Sequence, residues 1–133
     1  MHWYEYVAYF FGGMFLANAV PHFVSGVMGR RFPTPFASPP GKGESLPVVN
    51  VLWGACNVVI GYLLVFRVGE FSVRETSSVV ALGVGGLVMG VMLSRTFGRV
   101  YGGNRGDWRN RNGAAQMAQD KWRGTNGTAQ LAH

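Results

Sequence analysis

Asn18, His22, Ser25 and Gly29 follow one another at steps of 4, 3 and 4 residues inside an apolar stretch, and Asn50, Gly54, Asn57 and Gly61 repeat the same steps inside another. Such spacing lays each set along one face of a helix. An imidazole on such a face can titrate near neutral pH, ligate a haem iron or hold a quinone oxygen. Carboxamides and a hydroxyl beside it supply donors and acceptors for a ligand or a proton. The structural use of the same groups is hydrogen bonding between helices, each bond contributing on the order of 1 kcal/mol. For Asn18, Asn50 and Asn57 that use is favoured. For His22 the two uses are closer, because an ionisable side chain in an apolar segment is costly and marks function by default.

Other chemistry has little to work with. His2 and His133 stand at the ends of the chain, so a bis-histidine haem within one chain requires His2 to fold back. Glu5, Glu44, Glu70 and Glu75 fall at boundaries or in loops, which leaves no carboxylate pair, activated nucleophile or two-metal cluster in the apolar segments. The chain is therefore not expected to be an enzyme. Haem or quinone at His22 is the cofactor chemistry left open, and no metal site is expected. Cys56, the single cysteine, reads as a small hydrophobe in a packed helix.

The elements that must carry these residues are set by how charge is distributed. Residues 6–29, 45–66 and 76–94 contain no Asp, Glu, Lys or Arg, although the chain carries a net charge of +6. Each block reaches the roughly 18 to 25 residues that cross a bilayer's hydrocarbon. The expected fold is an all-α integral membrane protein with transmembrane helices over about 6–28, 48–66 and 77–94. A soluble bundle would need polar stripes facing water, and residues 79–93 offer glycine instead. Glu5 and the lack of Lys or Arg in residues 1–6 argue against a cleavable signal peptide, so the first block is expected to stay.

Orientation follows from the loops. If the helices alternate in direction, Arg30, Arg31, Lys42, Arg95, Arg99, Arg105, Arg109, Arg111, Lys121 and Arg123 share one side, against Arg67 and Arg74 on the other. The positive-inside rule then predicts an outside N-terminus and a cytoplasmic tail in the inner membrane of a bacterium. Anionic lipid is the expected counterpart of the basic tail, and nucleic acid is not, because arginines interleaved with Gly and Asn form no recognition motif.

The domain division expected is a three-helix unit over 1–97 and a basic Gly/Asn-rich tail over 98–133, partly disordered, with a short amphipathic helix at 114–123 carrying Met117 and Trp122. Five of the six prolines lie in residues 33–47, predicting an extended, stiff cytoplasmic loop with Phe32 and Phe36 dipping into the interface. Gly41-Lys42-Gly43-Glu44-Ser45 lacks the Gly-Lys-Ser/Thr ending of a phosphate loop and is rejected as a nucleotide site. Arg105-Gly106-Asp107 and Asn126-Gly127-Thr128 match an adhesion tripeptide and a glycosylation sequon, but both are short enough to arise by chance and carry no weight. Trp3, Tyr4, Tyr6, Tyr9 and Phe10 read as an interfacial aromatic belt.

Packing expectations complete the reading. Antiparallel alignment of the first two blocks at their midpoints brings together positions whose numbers sum to about 75, from the length needed to span. Asn18 then faces Asn57, Ser25 faces Asn50, and His22 comes level with Trp53 and Gly54, where the missing side chain leaves room for the imidazole. Pro21 should free the carbonyl of Ala17 and kink the first helix. Gly54 and Gly61 allow close approach within the chain, while Gly83, Gly86, Gly90 and Ser94 form a small-residue stripe suited to contact with another helix. The functional expectation is a small membrane protein acting as an oligomeric or accessory subunit of a membrane complex, with transport as the process served. The alternative is a redox or cofactor-binding subunit using His22.

Overall fold

A computed structural model describes residues 2–40, 42–101 and 108–129, with side chains of the last stretch described over 113–123. The chain forms helices α1 (Trp3–Val27), α2 (Pro47–Phe66), α3 (Thr76–Val100) and α4 (Trp108–Ala129), with short strands β1 (Phe32–Pro33) and β2 (Glu44–Ser45) between α1 and α2. The first three helices are long and apolar enough to cross a membrane. Met1–Thr96 make one compact unit and Phe97–His133 a second.

The helix limits depart from expectation where charge was taken as a stop. α1 begins at Trp3 rather than at residue 6, because Glu5 is a cap and not a breaker. Its carboxylate accepts the backbone N–H of His2 at 2.9 Å and places negative charge on the positive end of the helix. α1 then runs unbroken through Pro21 to Val27. It closes at Gly29, whose φ of 69° only glycine adopts freely. There the N–H of Gly29 donates to Gly26 O at 3.0 Å and that of Arg30 to Ser25 O at 2.9 Å, the paired bonds of a Schellman stop. α2 starts on Pro47, whose absent N–H costs nothing in a first turn. α3 continues past residue 94 to Val100, since Arg95 and Arg99 end the apolar block but are good helix formers, and Arg99 suits the last turn.

Two expectations outside the long helices are corrected. The tail was to hold a short helix at 114–123, whereas α4 spans Trp108–Ala129. Its Ala and Gln residues favour helix, against Gly113, Gly124 and Gly127, each costing about 1 kcal/mol. Arg105 and the tripeptide at 105–107 lie outside the described residues, as do the side chains of Arg109, Arg111 and of the sequon at 126–128. The proline-rich loop is also not simply extended. β1 and β2 pair antiparallel, Phe32 opposite Ser45 and Pro33 opposite Glu44, so the loop closes on itself as a hairpin. Gly43 sits against the backbone of Ser38, an approach that a Cβ would block.

α1 and α2 pack antiparallel through small residues. A Cβ on Gly12 would stand 2.6 Å from Val65 Cγ2, one on Gly26 2.7 Å from Pro47 O, and one on Gly61 2.7 Å from Leu16 Cγ. Gly54 belongs to the same seam, but not as expected. Its open side is filled by the α1 backbone, with Phe23 N 2.8 Å from where a Cβ would lie, and it leaves no room for the imidazole. α3 meets α1 where Gly13 faces the carbonyl of Leu82 and Gly85 faces the carbonyl of Phe10. Both contacts are to backbone, which cannot swing aside.

The stripe expected on α3 divides accordingly. Gly86 lies against α1, 3.6 Å from Gly13 O to its would-be Cβ, while Gly83 and Gly90 meet no atom within 4 Å. Ser94 is exposed, its hydroxyl donating to Val91 O at 2.9 Å. Gly85, one residue off the expected stripe, makes the tightest approach.

Candidate functional site

The buried polar groups of α1 and α2 meet in two layers along their seam. In the first, Asn18 Nδ2 donates to Asn57 Oδ1 at 3.0 Å. Asn57 Nδ2 turns back to its own helix and donates to Trp53 O at 2.7 Å. Asn57 is 0 % exposed, and this amide pair satisfies it in a place where an unpaired one would cost several kcal/mol.

The second layer is centred on Asn50, also 0 % exposed. Its Nδ2 faces three carbonyls: Phe32 O at 3.1 Å, Ser45 O at 3.2 Å and Leu46 O at 3.3 Å. Two of these belong to the hairpin strands, so one carboxamide ties the loop to the helix pair. With the amide nitrogen committed to carbonyls, Asn50 Oδ1 is the acceptor for His22 Nδ1 at 3.0 Å. That network makes Nδ1 the protonated nitrogen of His22 and gives the lone pair to Nε2.

Aromatic rings close around the imidazole. Phe32 stands edge-on to His22 at 5.3 Å and Trp53 at 6.4 Å, while Phe36 meets Trp53 edge-on at 5.0 Å. His22 is 3 % exposed. Phe32 packs against His22 and Phe36 against Trp53, and Phe36 keeps most of its ring exposed. The hydroxyls of Thr34 and Ser45 bond to each other, and Thr34 Oγ1 accepts the Phe36 N–H at 3.3 Å. Among the described residues, the indole N–H of Trp53 is buried without a partner.

Of the residues singled out by spacing, the structure thus joins Asn18 to Asn57 and His22 to Asn50. Ser25 does not meet Asn50. It is half-buried and its carbonyl serves the Schellman stop, while His22, one turn earlier on α1, hydrogen-bonds Asn50. Among the described residues, no group of three or more His, Cys, Asp and Glu side chains is placed to hold a metal ion.

A second polar cluster, at the opposite end of α1, was not singled out by sequence. Glu5, Glu70, Glu75 and His2 line a cleft of about 340 Å³ between the start of α1 and the 67–75 loop. Tyr9 is buried beneath it, its ring edge-on to Phe71 at 5.2 Å. Sequence spacing could have paired Glu5 with Tyr9, four residues on, but nothing in it announced that the loop folds back over them.

No family model matches this chain, and neither a curated protein nor a solved structure shows significant similarity to it.

Proposed function

We propose that the protein is an integral inner-membrane subunit that works by assembly, with copies of itself or within a larger membrane complex, and that α3 is its contact helix. The observation that carries the reading is the outer face of α3. Gly83 and Gly90 are exposed and meet nothing within 4 Å, although glycine in a helix costs about 1 kcal/mol relative to alanine. Small residues on an outward face give that cost a use, because they let a second helix approach closely. Three helices enclose no pathway by themselves, so transport, if the assembly performs it, belongs to the complex. The N-terminus lies outside and the tail in the cytoplasm. Exposed Lys121, Arg123, Met117 and Trp122 of α4 suit a surface of anionic lipid.

The test replaces Gly83 and Gly90 together by leucine. Neither position would bring a Cβ within 4 Å of another helix or loop among the described residues, so the protomer should fold as before. On a native gel of protein gently extracted from its own membrane, the wild-type assembly should give way to a smaller species. An assembly of unchanged size overturns the role of α3.

A second reading, favoured by the unpartnered indole N–H of Trp53 beside His22, is a cofactor-binding subunit. A quinone carbonyl would accept from Trp53 Nε1 next to the basic edge of the imidazole. Quinone co-purifying with wild type and lost in Trp53→Phe supports it. Quinone-free protein, or quinone retained equally by both, ends it.

A further inference from the structure

The row of α1 that meets α3 can be followed past the contact. Tyr6 donates its hydroxyl to Ser77 Oγ at 3.5 Å, the Phe10 carbonyl faces Gly85, and Gly13 faces the Leu82 carbonyl. Continued at the same steps of 4 and 3, that row reaches Ala17, Val20, Val24 and Val27. Val20, Val24 and Val27 are 60 %, 46 % and 61 % exposed. The facing row of α3 changes in the same direction. Ser78 and Gly85 are buried, Met89 is half-buried, and Met92 is 53 % exposed. The two helices therefore cover each other near residues 6–13 of α1 and leave an apolar cleft open at the other end.

The walls of this cleft differ from the helix contacts of the chain. Where α1 meets α2 or α3 closely a glycine lies at the contact, as at Gly12, Gly26 and Gly61 or at Gly13 and Gly85. The cleft instead carries branched valines and pliable methionines, which suit a flexible acyl chain better than a second helix backbone. Its open end is positive. Arg30 follows α1 and Arg95 lies three residues beyond Met92, both exposed, and neither α1 after Glu5 nor any part of α3 carries an acidic residue. Its depth is that of one leaflet. Val20 precedes Arg30 by ten residues, about 15 Å at 1.5 Å per residue, which is half of a hydrocarbon core of about 30 Å.

We infer that one anionic phospholipid docks in this cleft, its phosphate meeting Arg30 and Arg95 and its acyl chains lying along Val20, Val24, Val27 and Met92. The inference rests on the membrane reading of the three long helices, but not on the outer face of α3 that Gly83 and Gly90 occupy. Charge selects the occupant. A second copy docked through the same cleft would set Arg30 and Arg95 against their own counterparts, whereas a phosphate neutralises both.

The experiment takes the full chain, extracted in detergent and stripped of lipid, and counts by native mass spectrometry what it regains from phosphatidylglycerol or from phosphatidylcholine of the same acyl length. One tightly held phosphatidylglycerol per protomer is expected, with phosphatidylcholine about fivefold weaker or more. Arg30→Gln should weaken the phosphatidylglycerol about fivefold. Val24→Trp, which fills the cleft without altering charge, should remove the one-to-one species, and Arg67→Gln, at the opposite end, should leave it unchanged. Equal binding of the two lipids, wild-type binding by either Arg30→Gln or Val24→Trp, or an equal loss in Arg67→Gln overturns the inference. So does a disulfide between copies formed by Val24→Cys in a Cys56→Ser background, since a second chain would then stand where the lipid is assigned. A chain recovered in solution without detergent would instead refute the membrane reading on which the cleft depends.

Discussion

Asn50 is the residue whose loss should be felt at two places at once. Replacing it by leucine keeps the volume and removes its bonds to His22 Nδ1, Phe32 O, Ser45 O and Leu46 O. Leu46 O keeps the Asn50 backbone N–H at 3.2 Å, so that bond counts for little. The bond between helices contributes about 0.6–1.7 kcal/mol, and the two hairpin carbonyls about 1 kcal/mol each. Asn57→Leu is the internal standard. It loses one bond between helices, to Asn18, and its other bond is to a carbonyl of its own helix. Whatever leucine gains by burial is common to both variants, so Asn50→Leu should be less stable than Asn57→Leu by about 2 kcal/mol. Denaturant unfolding in detergent measures the difference. Trypsin cleavage after Lys42 should accelerate in Asn50→Leu alone, because only that variant releases the hairpin. Equal destabilisation by the two substitutions, or unaltered cleavage, would refute the assignment of Asn50 as the tie. His22→Gln supplies a donor for Asn50 Oδ1 and should leave both readouts close to wild type.

The glycines of α1 and α3 should sort into two groups. Gly13→Ala and Gly85→Ala force a Cβ against backbone carbonyls and should each destabilise the fold by about 1–3 kcal/mol, whereas Gly83→Ala and Gly90→Ala should stabilise the isolated protomer slightly, as thermal unfolding would report. For the proposed orientation, a Cys56→Ser background carrying cysteine at Ser72 should react with an impermeant thiol reagent in intact cells, while cysteine at Lys42 should be shielded. Reversed labelling would invert the topology.

The helical faces were legible because burial in an apolar seam imposes a period, and the residues that break hydrophobicity within that period are those that must find partners. Asn18 and Asn57 could be paired from spacing and midpoint alignment alone. The partner of Asn50 could not, because His22 and Ser25 lie about one turn apart on α1, and midpoint alignment does not decide which of the two side chains reaches Asn50. Two of Asn50's four side-chain bonds go to carbonyls of the hairpin, and the backbone carries no side-chain signal to read. Glu5 was mistaken for a boundary because charge was treated as the end of a helix, when at a first turn it is a cap. Tyr9 was assigned to an aromatic belt, since its burial depends on the 67–75 loop folding over it. The Gly85 contact was hidden by the neighbouring Gly83, Gly86 and Gly90, whose regular spacing suggested a single face.

On the proposed membrane reading, the division of partners between α1 and α2 has a consequence for how the chain is inserted. Asn18 and His22 each bond a carboxamide oxygen of α2, and Asn50 completes its bonds once both α1 and the hairpin are in place. Released singly from the insertion machinery, α1 would carry Asn18 and His22 into hydrocarbon without their α2 acceptors, where no solvent substitutes for them. The two helices are therefore suited to leave together as a preassembled pair. The short hairpin between them is synthesised at the right moment to lock that pair, before the carbonyls of Phe10 and the face of Gly13 are offered to α3.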